Sequence, residues 1–248
     1  MRRPVVVLTT GAAPYLGGPA TWAPLRAAIP DVECREVDLL ACEGRVDVAR
    51  AMIDDALRDA DAVVAHGAAA LTVVESVAAQ HDGVVVLLLS PLIVRDRLLT
   101  RAARAGFGFP PVAWLLRSVA RAKHRRLLDD RSAVAAELAK LTRPEAISDA
   151  LVDEARGRIA DPRTALAVER TADVVRATLV ARSRAGARVP AVVLVHDDTL
   201  GTPIAVPFDA PRPRVVAASA PMLEDPVAVA NALRDLLAAP PRGHAVQV

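Results

Sequence analysis

Aromatic side chains are scarce in this chain: three Phe, two Trp and one Tyr among 248 residues. Cysteine is scarcer still. Cys34 and Cys42 are the only two, and they form neither a C-x-x-C pair nor a metal-ligand spacing. They read as buried or half-buried thiols of a reducing compartment. Long apolar runs are missing as well. The longest, Val84 to Leu89, is far too short to span a bilayer. The two N-terminal arginines are followed only by the short run Val5 to Leu8, which is no secretory signal pattern, so a cytoplasmic location is the expectation. Lysine occurs twice, at Lys123 and Lys140. With nearly every cation an arginine and Ala and Val abundant, the composition points to a GC-rich bacterial genome. The net charge of +2 does not mark a nucleic-acid binder. The one dense basic run, Arg121 to Arg126, reads as the wet face of a helix.

What is present in quantity is hydrophobic residue, 53% of the chain, enough for a sizeable core. Strand and helix signals alternate from the N-terminus. Val5–Thr9, Val32–Val37, Ala62–Ala65 and Val84–Leu89 read as short buried strands. Helices are expected over Thr21–Ala28, Val46–Asp59 and Leu71–Gln80. The pattern stops near Leu92, and the chain then reads as all helical to about Arg188. Alternation resumes with strands at Val192–Val195 and Val215–Ala218 and a last helix over Pro226–Ala238, with Pro in its first turn. The fold class is α/β: a mostly parallel central sheet with helices on both faces, interrupted by a helical insertion. The domain expectation is a core of residues 1–91 and 189–240, a helical lid over 92–188 and a C-terminal tail over 241–248.

The segment "VVVLTTGAAPYLGGPATW" carries Thr10-Gly11 at a first strand end, followed by a loop and Trp22. Asp38-Leu39 closes the second strand. "AVVAHGAAAL", residues 62 to 71, forms a strand and tight turn of small residues. "LLLSP" precedes the helical insertion, and "ASAPMLEDP" lies near the end. In order, spacing and insertion point, these motifs resemble the α/β-hydrolase superfamily over nearly the whole chain. The resemblance implies a nucleophile on the turn at Gly67, a catalytic His at Ser219 and an acid at Asp198 or Asp197. Two of those three side chains are absent here. A Ser-His-Asp system attacks with Ser, takes its proton with His and orients the His with the acid, so losing the first two removes the mechanism.

Glycine at 67 also relieves the strained backbone of the elbow, by about 1–3 kcal/mol. The resemblance further implies an oxyanion hole from the backbone N–H groups of Ala68 and of the loop near Ala12. Gly11, Ala12, Tyr15, His66, Gly67, Ala68, Phe107, Phe109, Trp114 and Ser219 are the expected ligand-binding residues. Tyr15, Trp22, Phe107, Phe109 and Trp114 would line or roof one apolar cavity, or else pack the lid onto the core. His66 and His196 read as structural, and His81, His124 and His244 as surface residues. Ser90 is the candidate for a relocated nucleophile. A nucleotide-binding loop after the first strand, with Asp38 as ribose ligand, lacks the G-x-G-x-x-G spacing.

The expected function is non-hydrolytic binding, or rearrangement, of an apolar or acyl-like small molecule. The alternatives are a hydrolase or thioesterase with a relocated site and a catalytically silent subunit of a complex. No cofactor and no metal are expected. The expected partner is a small molecule rather than nucleic acid or membrane; a homodimer or protein partner stays open.

Overall fold

A computed structural model describes residues 2–11, 15–81, 83–90, 110–170, 191–195, 214–215, 218 and 220–238. Its strands are β1 (Val5–Gly11), β2 (Glu33–Val37), β3 (Ala62–Gly67), β4 (Val85–Leu89), β5 (Ala191–Val195) and β6 (Arg214–Val215). They form one parallel sheet in the order β2-β1-β3-β4-β5-β6. The helices that flank them are α1 (Pro19–Ala28), α2 (Val46–Leu57) and α3 (Ala69–Gln80). Between β4 and β5 lie α4 (Pro110–Asp129), α5 (Arg131–Leu138), α6 (Asp149–Ala160) and α7 (Pro162–Glu169). After β6 come the short α8 (Pro221–Glu224) and α9 (Pro226–Ala238).

A parallel sheet has both faces covered, so its strands are apolar without alternation. Val5 to Leu8 are all 1% exposed or less. Val6, Leu8, Val64, Leu87 and Leu89 face one core, with Trp22, Leu25, Ile29, Val229 and Leu233. The inserted helices add Val134, Leu138, Leu151 and Ile159 to this core. Val7, Val63, Val86 and Leu88 face the other, against Ile53, Leu57, Val73 and Val77. The α/β architecture read from the sequence is therefore the observed one.

The differences lie at element ends. β1 and β3 each run two residues beyond the apolar run that announces them, through Thr10-Gly11 and His66-Gly67, and pair to the last residue. α3 then starts at Ala69, directly after the turn. Of the domain boundaries, 92–109, 171–188 and the tail 241–248 lie outside the described residues.

The connections set the place of the site. From β1 the chain steps to β2 on one side, then crosses back to β3 on the other. The carboxyl ends of β1 and β3 therefore flank a topological switch point, where open α/β sheets bind ligands.

Candidate functional site

At the switch point Gly11 and Gly67 are register partners. Gly67 adopts φ +63°, the left-handed turn expected at the elbow. A Cβ on Gly67 would lie 2.6 Å from the carbonyl oxygen of Gly11, and a Cβ on Gly11 would lie 2.7 Å from the backbone nitrogen of Ala69. Two strands and a helix start thus meet backbone against backbone, which only glycine allows at these two positions. The N–H of Ala68 donates to the Gly11 carbonyl at 3.2 Å. The N–H expected to serve an oxyanion hole is thus engaged within the turn in this structure, because the strand ends come close enough to share it. Ala12, the expected second donor, lies outside the described residues.

Beside this turn Thr10 and His66 are cross-strand neighbours, next to Leu89 on β4. The alternation of the strands puts both on the Leu8–Val64 face, toward α1 and the inserted helices. Thr10 is 5% exposed, and its Oγ1 has no hydrogen-bond partner among the described residues. Sequence reasoning missed Thr10. The available signal was a hydroxyl at the end of an otherwise apolar buried strand. His66 is half-buried.

Ser90 follows β4 with φ +39°, a left-handed conformation that is uncommon for a non-glycine residue. Its Oγ is buried and unpartnered among the described residues. Orphaned buried hydroxyls and backbone strain both gather at functional sites.

The aromatics divide. Tyr15 is buried, and its phenol donates to Glu137 at 3.2 Å and accepts from Lys123 at 3.2 Å. Burial pushes the phenol pKa up, against the opposing pull of Lys123. Tyr15 therefore ties the loop after β1 to α4 and α5. Trp22 is fully buried in the core rather than roofing a cavity, because the inner face of α1 packs on the sheet beside Leu8. Trp114 is 65% exposed on α4. Phe107, Phe109, Ser219, Asp197, Asp198, His196 and His244 lie outside the described residues. His81 and His124, expected at the surface, are half-buried. Desolvation lowers the pKa of His124.

A second set of polar residues, of which only Asp38 figures in the sequence reading, joins the inserted helices to the core. α1 begins after Gly18, which offers no side-chain cap. Glu154 of α6 supplies it, accepting from the Thr21 N–H at 3.3 Å, the Thr21 hydroxyl at 2.9 Å and the Ala20 N–H. A Cβ on Gly18 would lie 2.7 Å from that carboxylate, so the glycine makes room for the cap.

Arg158 of α6 grips Asp38 with both guanidinium NH2 groups, at 2.9 and 2.8 Å. Asp38 also caps the turn that starts at Leu39. It is thus engaged as a structural anchor, not held open for a ribose. Arg170 donates to the Glu43 carbonyl at 2.8 Å. Arg143 pairs at 3.2 Å with Glu224, whose side chain is 2% exposed and accepts from the Ala220 N–H. A helix opening on glycine with no Ser, Thr or Asp before it was the one legible hint that a distant acid would be needed.

Among the described residues no three His, Cys, Asp or Glu side chains gather at metal-binding distance. Burial pushes both thiols, Cys34 and Cys42, above their ordinary pKa. They are correspondingly poor nucleophiles. A groove of about 390 Å³, lined by Arg26, Ile29, Pro30 and Cys34, lies where α1 ends and β2 begins, at the opposite edge of the sheet from the switch point.

No family model and no curated protein matches the chain. Solved structures do. A loop variant of a haloalkane dehalogenase from Bradyrhizobium elkanii superposes with a TM-score of 0.60 at 14% identity, over 95% of this chain and 89% of that one. A protein from Pseudomonas aeruginosa described as an epoxide hydrolase gives 0.60 at 18% identity, over 96% and 89%. A hydrolase from Oleispira antarctica gives 0.58 at 12%, over 96% and 92%. This chain has the α/β-hydrolase fold. Within that fold Gly67 occupies the turn between strand and helix, and α4 to α7 lie between β4 and β5 in chain order.

Proposed function

We propose that this α/β-hydrolase-fold protein binds an apolar or acyl-like small molecule without hydrolysing it, with the inserted helices serving as a cap over the carboxyl edge of the sheet. The observation that carries the reading is the closed turn at Gly67. Its side-chain position is blocked by the Gly11 carbonyl at 2.6 Å, and the neighbouring Ala68 N–H already donates to that carbonyl. A nucleophile there has no room, and an oxyanion there lacks this donor. Structural neighbours named for haloalkane and epoxide chemistry support a small, weakly polar ligand. The buried Thr10 hydroxyl and half-buried His66 are, among the described residues, polar groups beside the turn on the Leu8–Val64 face. Asp198, Asp197 and Ser219 are remnants of the triad in this reading, and Ala12, Tyr15, Phe107 and Phe109 remain candidate contacts, whereas Trp114 is too exposed to be one.

A serine-reactive phosphonate should leave no covalent adduct on the purified protein by intact mass. A matching ligand should raise the melting temperature according to RT ln(1 + [L]/Kd), about 2.7 kcal/mol at a hundred times Kd. A screen of medium-chain acyl amides and ketones tests this directly. Stoichiometric phosphonate labelling would overturn the reading.

One observation favours a second reading, a relocated site. Ser90 combines a left-handed backbone with a buried, unpartnered hydroxyl. Under that reading a label appears, maps to Ser90 and vanishes in Ser90→Ala.

A further inference from the structure

α4 shows an apolar surface on the side away from the core. Trp114, Leu115 and Val119 are 65%, 56% and 59% exposed, while Leu127 is buried. At 100° per residue Leu115, Val119, Ala122 and Arg126 form one row, and Trp114, Ser118, Arg121 and Arg125 form the row beside it. Each row is apolar or small toward the helix start and basic toward its end.

The charge is concentrated as well. α4 holds five Lys or Arg and one Asp, in a chain whose net charge is only +2. Arg121 is paired with Glu169 and Lys123 with Glu137. Arg125 and Arg126 are exposed and form no salt bridge within 4 Å among the described residues, although Arg126 is near enough to the Asp130 carboxylate to act on it electrostatically.

We infer that this face of α4 docks on an anionic lipid surface, Trp114, Leu115 and Val119 entering the headgroup boundary and Arg125 and Arg126 meeting lipid phosphates. An amphipathic helix with Trp and Leu on one part and arginines on the other lies in the interface plane rather than across it. This is compatible with the absence, among the described residues, of any helix long and apolar enough to cross a membrane. It reverses the expectation from sequence, where the same helix reads as a wet face. Charge decides the occupant. A second copy on this face would bring the same positive surplus, whereas an anionic membrane neutralises it. Each arginine near such a surface contributes about 1 kcal/mol, and the attraction fades with salt.

The fluorescence of the full chain reads the event cleanly, since Trp22 is already fully buried and only Trp114 has an environment to lose. Vesicles of phosphatidylcholine mixed with phosphatidylglycerol should shift the emission to the blue and sediment the protein. Binding should be at least about tenfold stronger than to phosphatidylcholine alone, and weaker at high salt. Trp114→Ser and the double variant Arg125→Gln with Arg126→Gln should each lower vesicle binding by about tenfold or more. Their melting temperatures should not change, since the side chains face solvent.

No sedimentation with the anionic vesicles overturns the inference, as does equal binding to both lipids. Shielding of Trp114 by concentration-dependent self-association without lipid overturns it in favour of a second copy. Should either variant melt early, the blue shift of the unaltered chain still decides.

Discussion

The turn at Gly67 and the seam between the inserted helices and the core make an instructive pair. At the turn everything is small and contacts are backbone to backbone: Gly11, Gly67, Ala68 and Ala69 bring two strands and a helix together with no functional side chain. At the seam the opposite holds. Glu154, Arg158, Arg143 and Arg170 reach from the inserted segment to satisfy backbone groups and acids of the core. In a serine hydrolase of this fold, polar side chains at the turn perform chemistry. At the seam of this chain the polar side chains hold one part of the molecule to another. That contrast yields predictions that depend on where a side chain can and cannot be placed.

The largest effect belongs to Gly67→Ser. The new Cβ must displace the Gly11 carbonyl and hold a left-handed backbone, which together cost about 2–4 kcal/mol. Chemical denaturation should show that loss. Esterase assays should show no gain, even when Ser219→His is added. If the double variant is stable and takes up a phosphonate label, the turn is more open than the 2.6 Å approach implies, and the contrast with the seam collapses.

Next comes a sign reversal at the seam. Glu154→Ala leaves the first N–H groups of α1 without their cap and should cost about 1–2 kcal/mol. Gly18→Ser should also destabilise the unaltered chain, because its Cβ meets the Glu154 carboxylate. In the Glu154→Ala background the same serine has room and supplies its own cap, so it should recover much of the loss. Gly18 lies at φ −97°, where serine is unstrained. A double-mutant cycle by thermal melting measures the coupling. Additive effects would mean that Glu154 does not cap α1.

The two regions also differed in how far the sequence revealed them. Val5 to Leu8, Ala62 to Ala65 and Val85 to Leu89 announce themselves as unbroken apolar runs, because a parallel strand is buried on both faces. Thr10-Gly11 and His66-Gly67 were noticed as motifs but left outside the expected strands, since polar and small residues carry no hydropathy signal although they complete the ladder. The small-residue turn was legible through its spacing, and its left-handed glycine was anticipated. The occupation of the Ala68 N–H was not, as it depends on a carbonyl 57 positions earlier. The seam was invisible for the same reason: Asp38 and Arg158, or Thr21 and Glu154, lie more than a hundred residues apart. The exposure of Trp114 was equally hidden, because the first half of α4 is apolar on several sides and only tertiary packing selects the inner one.

The smallest expected effect is acid sensitivity within the inserted segment. Asp161 caps α7 and is held by Arg163, whose hydrogen bonds lower its carboxyl pKa to about 2 from an ordinary 3.8. Burial pushes Glu137 upward, but hydrogen bonds from Lys123 and Lys140 outweigh it and leave its pKa below the ordinary 4.5. A carboxylate with a folded pKa below its unfolded one contributes stability above the unfolded value and loses it as pH falls through the folded one. The contribution of these two groups should therefore be flat above about pH 5 and decline below it, with the Asp161 part vanishing toward pH 2. Asp161 is half-buried, but its partner Arg163 is exposed, so its share is small and screened by salt. Asp161→Asn separates the two roles, since asparagine still caps the helix but carries no charge. Melting curves of the two proteins should converge as the pH drops from 5 toward 2, and a constant gap across that range would assign Asp161 to capping alone.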